Sequence, residues 1–254
     1  MTPIIIILLA VLGASLGSFF NVLIDRLPKK QSIVYPGSRC SECGKAIPWW
    51  LNIPVLSYVV LGGKCKYCGA KIHWHHLIVE IITPILFILL FFKFGIESFL
   101  FYKYLVLICF LIPIFLIDLF EQLILHVMSI PLIVFGLGSS LVPQSDVGII
   151  NSLLTGAVVF SLLVAITYLF AKIQKKEGMG GGDIWLMTGI ACCFGFLSAP
   201  FIILIASLLG ILFFAVMIRK KSVGMPFGPF LVLASVIWVF VGDVLIDKLM
   251  LKVL

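Results

Sequence analysis

Apolar runs too long for a soluble core set the first constraint on this chain. Several reach the roughly 17 to 25 residues that cross a bilayer, in a sequence that is 62% hydrophobic. The fold class they imply is all-α and polytopic, since backbone polar groups in lipid must be satisfied internally. With Gly, Pro and charge as punctuation, about eight transmembrane helices are expected, near 3–24, 77–95, 99–117, 124–142, 149–171, 184–197, 200–218 and 227–246. The sixth is short enough to be tilted, or to enter from a partly buried loop. The first lacks the basic start and small-residue cleavage site of a signal peptide, and exceeds the usual length of its apolar core, so it reads as a spanning helix.

Basic residues give the orientation, because cytoplasmic loops retain Lys and Arg. Placing the loop 25–76 inside puts fourteen of the 18 Lys and Arg in the cytoplasm. Only Lys93, Lys103, Lys248 and Lys252 fall outside or near the outer boundary, and both termini are then external. Topology and contact with anionic lipid account for the net charge of +7, so it is no evidence for a nucleic-acid partner.

The cytoplasmic loop repeats one pattern, CSECGKAIPWW from Cys40 and CKYCGAKIHWH from Cys65. Cys40, Cys43, Cys65 and Cys68 form two CxxC pairs, each followed by Gly, with 21 residues between them. That spacing suits a closed four-thiolate zinc site, which shapes a loop and does no chemistry. Two disulfides are the alternative, and a reducing compartment disfavours them. Cys109, Cys192 and Cys193 lie in apolar runs and read as small packing residues. His73, His75 and His76 flank Trp74 at the start of the next helix, as an interfacial collar or, less simply, as metal ligands.

Acidic residues are few. Asp25, Glu42 and Glu177 in cytoplasmic loops, Glu97 and Asp146 in outer turns, and Asp243 and Asp247 near the last helix's outer end read mainly as solvated. Among the others, Asp118, Asp183 and Glu80 are the candidates for function. Asp118 ends the third apolar run and Asp183, after the glycines of GMGGGD, begins the sixth. The orientation brings both to the cytoplasmic level. Two aspartates brought close share a proton, so that one can activate water while the other donates to a carbonyl. Taken singly, each is also explained as a helix cap or interfacial charge. A matched pair is equally the signature of a proton-coupled transporter.

Six motifs in order resemble those of type IV prepilin peptidases, bifunctional leader peptidases and N-methyltransferases of the GxGD aspartyl protease family. They are GASLGSFFNVLIDRLP, the paired CxxC loop with WWLNIPVLSY between the pairs, IVEI, IDLFEQLILHVMSIP, GMGGGD and MPFGPFL. The resemblance implies that Asp118 and Asp183 are the catalytic pair and that the four cysteines form the N-terminal domain's cluster. It implies residues 1–98 as a methyltransferase part with the zinc loop, and 99–254 as a membrane aspartyl peptidase domain. The implied substrate is a type IV prepilin or pseudopilin, cut after its basic leader on the cytoplasmic side of the bacterial cytoplasmic membrane. S-adenosylmethionine is the implied methyl donor for the new amino terminus.

Departures from the family pattern fall at Leu51, at Leu125 and His126 in place of Pro-Asp, and at Trp185 in place of Lys. His75, His76 and Leu77 stand where Arg-Tyr-Pro is usual. No Gly-rich turn after a strand offers a Rossmann-like cofactor site. Glu80, costly inside a helix, is therefore the candidate for that site together with Asn21 and Arg26; a Glu80–Arg26 ion pair is the alternative. The transporter reading would need repeated halves, which the helix pattern lacks. A scaffold reading leaves the matched aspartates unexplained.

Overall fold

A computed structural model describes residues 2–175, 180–217 and 226–250. Lys176, Glu177, Gly178, Met179, Arg219, Lys220, Lys221, Met225 and Lys252, to which the sequence assigns roles in topology or motifs, lie outside the described residues. The chain divides into two compact units, Met1–Glu97 and Ser98–Leu254.

The first unit holds α1 (Thr2–Arg26), a single 3₁₀ turn (Trp49–Leu51), the short α2 (Leu56–Val60) and α3 (Trp74–Phe94). Helices α1 and α3 pack through Gly13 and Gly17, one turn apart. A Cβ on Gly13 would stand 2.5 Å from Pro84 Cα, and one on Gly17 would stand 2.9 Å from Glu80 Cα. In lipid no hydrophobic force drives helices together, so such small residues bring backbones into van der Waals contact.

The second unit holds α4 (Phe99–Glu121), α5 (His126–Ser139), α6 (Ile149–Gln174), α7 (Gly181–Met217) and α8 (Gly228–Met250). Ser98 caps α4, accepting from the Leu100 N–H at 3.2 Å. Gln122, in the left-handed region, closes α4 by donating its N–H to the Asp118 carbonyl at 3.0 Å. This end is one turn later than the apolar run suggests, so Asp118 lies within the helix. Leu107, Ile108 and Leu111 of α4, Leu132 of α5, Leu186 and Ile190 of α7 and Leu231 of α8 are fully buried and form the core.

Helix α7 joins the two segments expected at 184–197 and 200–218, with a break at Gly195 (φ 74°, ψ −179°). This conformation is readily open only to glycine. Ring contacts give the direction on either side of the break. Before it, Trp185 meets His126 and Phe160, and Phe194 stacks on Tyr104. After it, Phe201 stacks on Trp238 and Phe213 meets Phe230 near the start of α8. Since Gly228 abuts Asp118, residues 196–217 run back toward the end of the bundle where residues 181–194 began.

The fold is thus the expected all-α polytopic one. With α7 counted as two segments, and the loop helix α2 set aside, eight apolar segments are present among the described residues. Six helices there, with α7 counted once, are long and apolar enough to span a membrane. Helix α5, at 14 residues, is about 21 Å long at 1.5 Å per residue and shorter than its run predicted.

Candidate functional site

The second unit brings Asp118 and Asp183 to one end of its bundle, close enough that the charge of Asp183 acts on Asp118. Asp118, in the last turn of α4, is 4% exposed. It accepts the backbone N–H of Gly228, while its Oδ2 is buried without a hydrogen-bond partner among the described residues. Asp183 sits in the first turn of α7, half-buried, and accepts the Gly180 N–H. The positive end of a helix stands beside it.

Ile124, in the link between α4 and α5, wedges the site together. A Cβ on Gly182 would come within 2.7 Å of Ile124 Cβ, and one on Gly228 within 2.9 Å of Ile124 Cδ1. Both glycines are there because the backbones carrying Asp183 and α8 must approach this one side chain. Gly228 of MPFGPFL is a site residue that sequence reading left without a role; its signal was a Gly between two prolines at a helix start. Two departures from the family pattern also meet, since the His126 and Trp185 rings lie 5.8 Å apart, edge to face.

At the opposite end of this bundle Lys103 is 2% exposed. Its ammonium donates to Asp146 and, at 2.8 Å, to the Cys193 carbonyl. The Tyr104 hydroxyl donates to the other Asp146 oxygen at 2.5 Å. The sequence reading, with Lys103 outside or near the outer boundary and Asp146 in an outer turn, did not pair the two; the structure does. A charge in an apolar helix finds a partner that lies far along the chain. Cys192 and Cys193 are buried packing residues, as expected.

In the first unit the two CxxC segments form matching knuckles. The Cys40 N–H donates to Lys45 O at 3.1 Å and Gly44 N–H to Cys40 O at 3.0 Å; Cys65 to Ala70 O (2.8 Å) and Gly69 to Cys65 O (2.9 Å) repeat the pattern. Gly44 (φ 67°) and Gly69 (φ 72°) supply the left-handed turn. The four sulfurs lie within 4.8 Å of one another, with Cys40 Sγ and Cys68 Sγ 3.8 Å apart. Ligands about 2.3 Å from a tetrahedral zinc stand about 3.8 Å from each other, so the donors fit that ion. Four adjoining thiols do not ionise alike. Cys65 is pushed down to about 6, first by the Tyr67 N–H and then by that of Cys68. Cys68 is pushed up to about 12: the Ala70 N–H favours its thiolate, but desolvation and the neighbouring sulfurs outweigh it. A divalent cation eases that conflict, because it favours the thiolate form of all four and offsets part of their charge.

The candidate cofactor residues Asn21, Arg26 and Glu80 are already engaged. The Arg26 guanidinium donates to the carbonyls of Ser32 (2.9 Å), Pro36 (2.8 Å) and Gly37 (3.1 Å). Glu80 accepts the Val55 N–H at 2.6 Å and a bond from Ser18. Asn21 donates to His76 O at 3.1 Å, and only its Oδ1 is a buried acceptor with no partner among the described residues. As placed, Arg26 and Glu80 anchor the loop to the helices. The trio fits a methyl-donor cofactor poorly, and no step is derived through it.

Residues 11–94 match the family described as the bacterial peptidase A24 N-terminal domain, and residues 105–215 the type IV leader peptidase family. Among curated relatives, a prepilin leader peptidase/N-methyltransferase of Xanthomonas campestris is 32% identical over 93% of this chain and 91% of its own. The Pseudomonas aeruginosa protein of that name is 34% identical (91% and 89%), and the one from Vibrio cholerae 30% (92% and 96%). No solved structure matches the chain significantly.

Proposed function

The chain belongs to the type IV leader peptidase family, and from that premise we propose that it removes the basic leader of a type IV prepilin or pseudopilin, using Asp118 and Asp183 as the catalytic pair. The observation that carries this reading is the meeting of two carboxylates from different helices, one with a buried oxygen that no group among the described residues satisfies.

In this mechanism the substrate's apolar segment docks among the helices of the second unit and presents its scissile carbonyl to the pair. The two aspartates hold one proton between them. The ionised carboxylate takes a proton from water as the water oxygen attacks the carbonyl carbon, while the protonated one donates to the carbonyl oxygen. Collapse of the tetrahedral diol breaks the C–N bond: the departing amine takes the proton that the first aspartate received from water, and a diol hydroxyl returns its proton to the second as the carbonyl re-forms. No covalent enzyme intermediate is required. The Gly228 N–H fixes the Asp118 carboxylate, and the first turn of α7 fixes Asp183.

Lys172 and Lys175, at the end of α6 that lies toward the aspartates, support an active end facing the cytoplasm of a bacterial inner membrane, since basic residues are retained there. Cys40, Cys43, Cys65 and Cys68 hold a structural zinc, which closes the loop and leaves no open coordination position. The second proposed activity is methylation of the new amino terminus with S-adenosylmethionine as donor; the relatives' names support the activity, and its assignment to the first unit rests on the family resemblance of that part of the sequence.

The test is incubation of the purified protein in detergent with a peptide bearing a basic leader, a Gly-Phe junction and an apolar tail, with and without S-adenosylmethionine. Mass spectrometry should find cleavage in both samples and a methylated Phe terminus only with the cofactor. Cleavage without methylation would remove the transferase half of the proposal, and no cleavage of several such peptides would remove the whole.

A further inference from the structure

Three side chains converge in the first unit, one that sequence reading left in solvent and two that it read as an interfacial collar or, less simply, as metal ligands. Asp25 occupies the last turn of α1, and His75 and His76 the first turn of α3. Asp25 Oδ1 lies 3.6 Å from His75 Nε2, and its Oδ2 lies 3.5 Å from His76 Nε2. One donor atom from each of the three falls within 4.8 Å of the others.

These separations discriminate between readings. A charged N–H···O⁻ bond closes to about 2.7–2.9 Å, which neither pair does. Nitrogen and oxygen ligands about 2.0–2.1 Å from one ion stand about 3.3–3.4 Å apart in a tetrahedral set, and each imidazole stands near that distance from its own Asp25 oxygen, as a carboxylate offering both oxygens to one ion would have it. The imidazoles are stacked, with centroids 4.4 Å apart and planes at 24°, so two consecutive helix residues present Nε2 to one carboxylate.

The remaining nitrogen of His75 is also placed for ligation. His75 Nδ1 lies 3.1 Å from His73 Nδ1, so one of the two carries the proton. A His75 that gives its Nε2 lone pair to a metal has its proton on Nδ1 and donates it to His73, the outer contact by which metal-bound histidines are oriented. The Asp25 side chain is 45% exposed and the His75 side chain 8%, which gives an entry path on one side and a dry wall on the other.

We propose that Asp25, His75 and His76 form a second metal site, separate from the four cysteines, that takes a divalent transition ion of the zinc class with at least one coordination position open. Two imidazoles and one carboxylate suit Zn²⁺, Co²⁺ or Fe²⁺ better than the oxygen-seeking Mg²⁺ or Ca²⁺. The ion joins the end of α1 to the start of α3 at the root of the cysteine loop, and so ties the stem from which that loop projects. This inference does not depend on the peptidase reading.

The experiment uses tag-free, full-length protein in detergent, stripped by a chelator and titrated with Co²⁺. Bound cobalt is counted by elemental analysis, and its ligands are identified by visible absorption. Cobalt on the cysteines gives thiolate charge transfer, whereas cobalt on His and Asp gives ligand-field bands alone. In Cys40→Ser/Cys65→Ser protein, one equivalent of the second kind is expected. His76→Gln or Asp25→Asn should abolish it, and His73→Phe should weaken it about 10- to 100-fold. Wild-type protein, which needs no substitution to fold, should show both signatures. Absence of the nitrogen–oxygen type from wild type, or its persistence after Asp25→Asn with His76→Gln, overturns the proposal.

Discussion

Gly228 stands against Asp118 with no room for a side chain: an added Cβ would overlap Asp118 Oδ2 and lie 2.9 Å from Ile124 Cδ1. The same residue's N–H donates to that carboxylate. Gly228→Ala must therefore push Asp118 out of register with Asp183. A displacement of about 1 Å in a catalytic group costs on the order of a hundredfold in rate. Peptide cleavage by Gly228→Ala should fall by about that factor while its zinc content and helicity stay those of the parent.

The contact of Gly13 with Pro84 joins backbone to backbone, so neither side can yield by rotating a side chain. Gly13→Leu should force α1 from α3 and cost about 1–3 kcal/mol, the usual penalty of overpacking. Thermal unfolding in detergent should show a lower Tm. Gly37→Ala, at a position where an added Cβ meets nothing within 4 Å, should leave Tm unchanged.

Lys103 is buried on α4 and its charge is met by Asp146 and the Cys193 carbonyl. Lys103→Met leaves Asp146 without its counter-ion, and breaking a buried pair costs about 3–5 kcal/mol. Because Asp146 is 31% exposed, a loss near about 3 kcal/mol is expected. Lys103→Met with Asp146→Asn should recover part of it, as a double-mutant cycle on unfolding free energy would measure.

Removal of zinc should act on the loop alone. The knuckles around Cys40 and Cys65 have short backbone bonds but no core of buried apolar side chains, and Trp49 and Trp50 are exposed. Chelation, or Cys65→Ser, should open the loop to limited proteolysis between residues 39 and 72 and leave the helices protected. Acidification should release the metal too, because protons compete for the thiolates.

How much of this was legible in the sequence depends on how far apart the interacting residues lie. The helices, the four cysteines and the two aspartates announce themselves through run length, repeated CxxC spacing and charge inside apolar segments. Partners were not legible. Nothing local tells that Asp146 neutralises Lys103, that Asp25 faces His75 and His76, or that Arg26 donates to three loop carbonyls where a cofactor site, or alternatively a pair with Glu80, was expected. Those choices are made by tertiary packing. The break between the segments expected at 184–197 and 200–218 falls a little earlier, at Gly195, whose left-handed φ turns the chain back on itself. His126 and Trp185 looked like two separate departures, and only the fold shows them touching.

The central claim is that Asp118 and Asp183 perform the cleavage. It is tested most directly by measuring kcat for a prepilin peptide with Asp118→Asn and Asp183→Asn beside the parent, all matched for Tm and zinc content. Each substitution preserves shape and removes the ability to hold or pass the shared proton. The account predicts that each variant separately loses at least about a thousandfold in kcat, with little change in KM, the scale on which acid–base groups contribute. Cleavage persisting in either folded variant would contradict it and return the pair to a structural or proton-relay role.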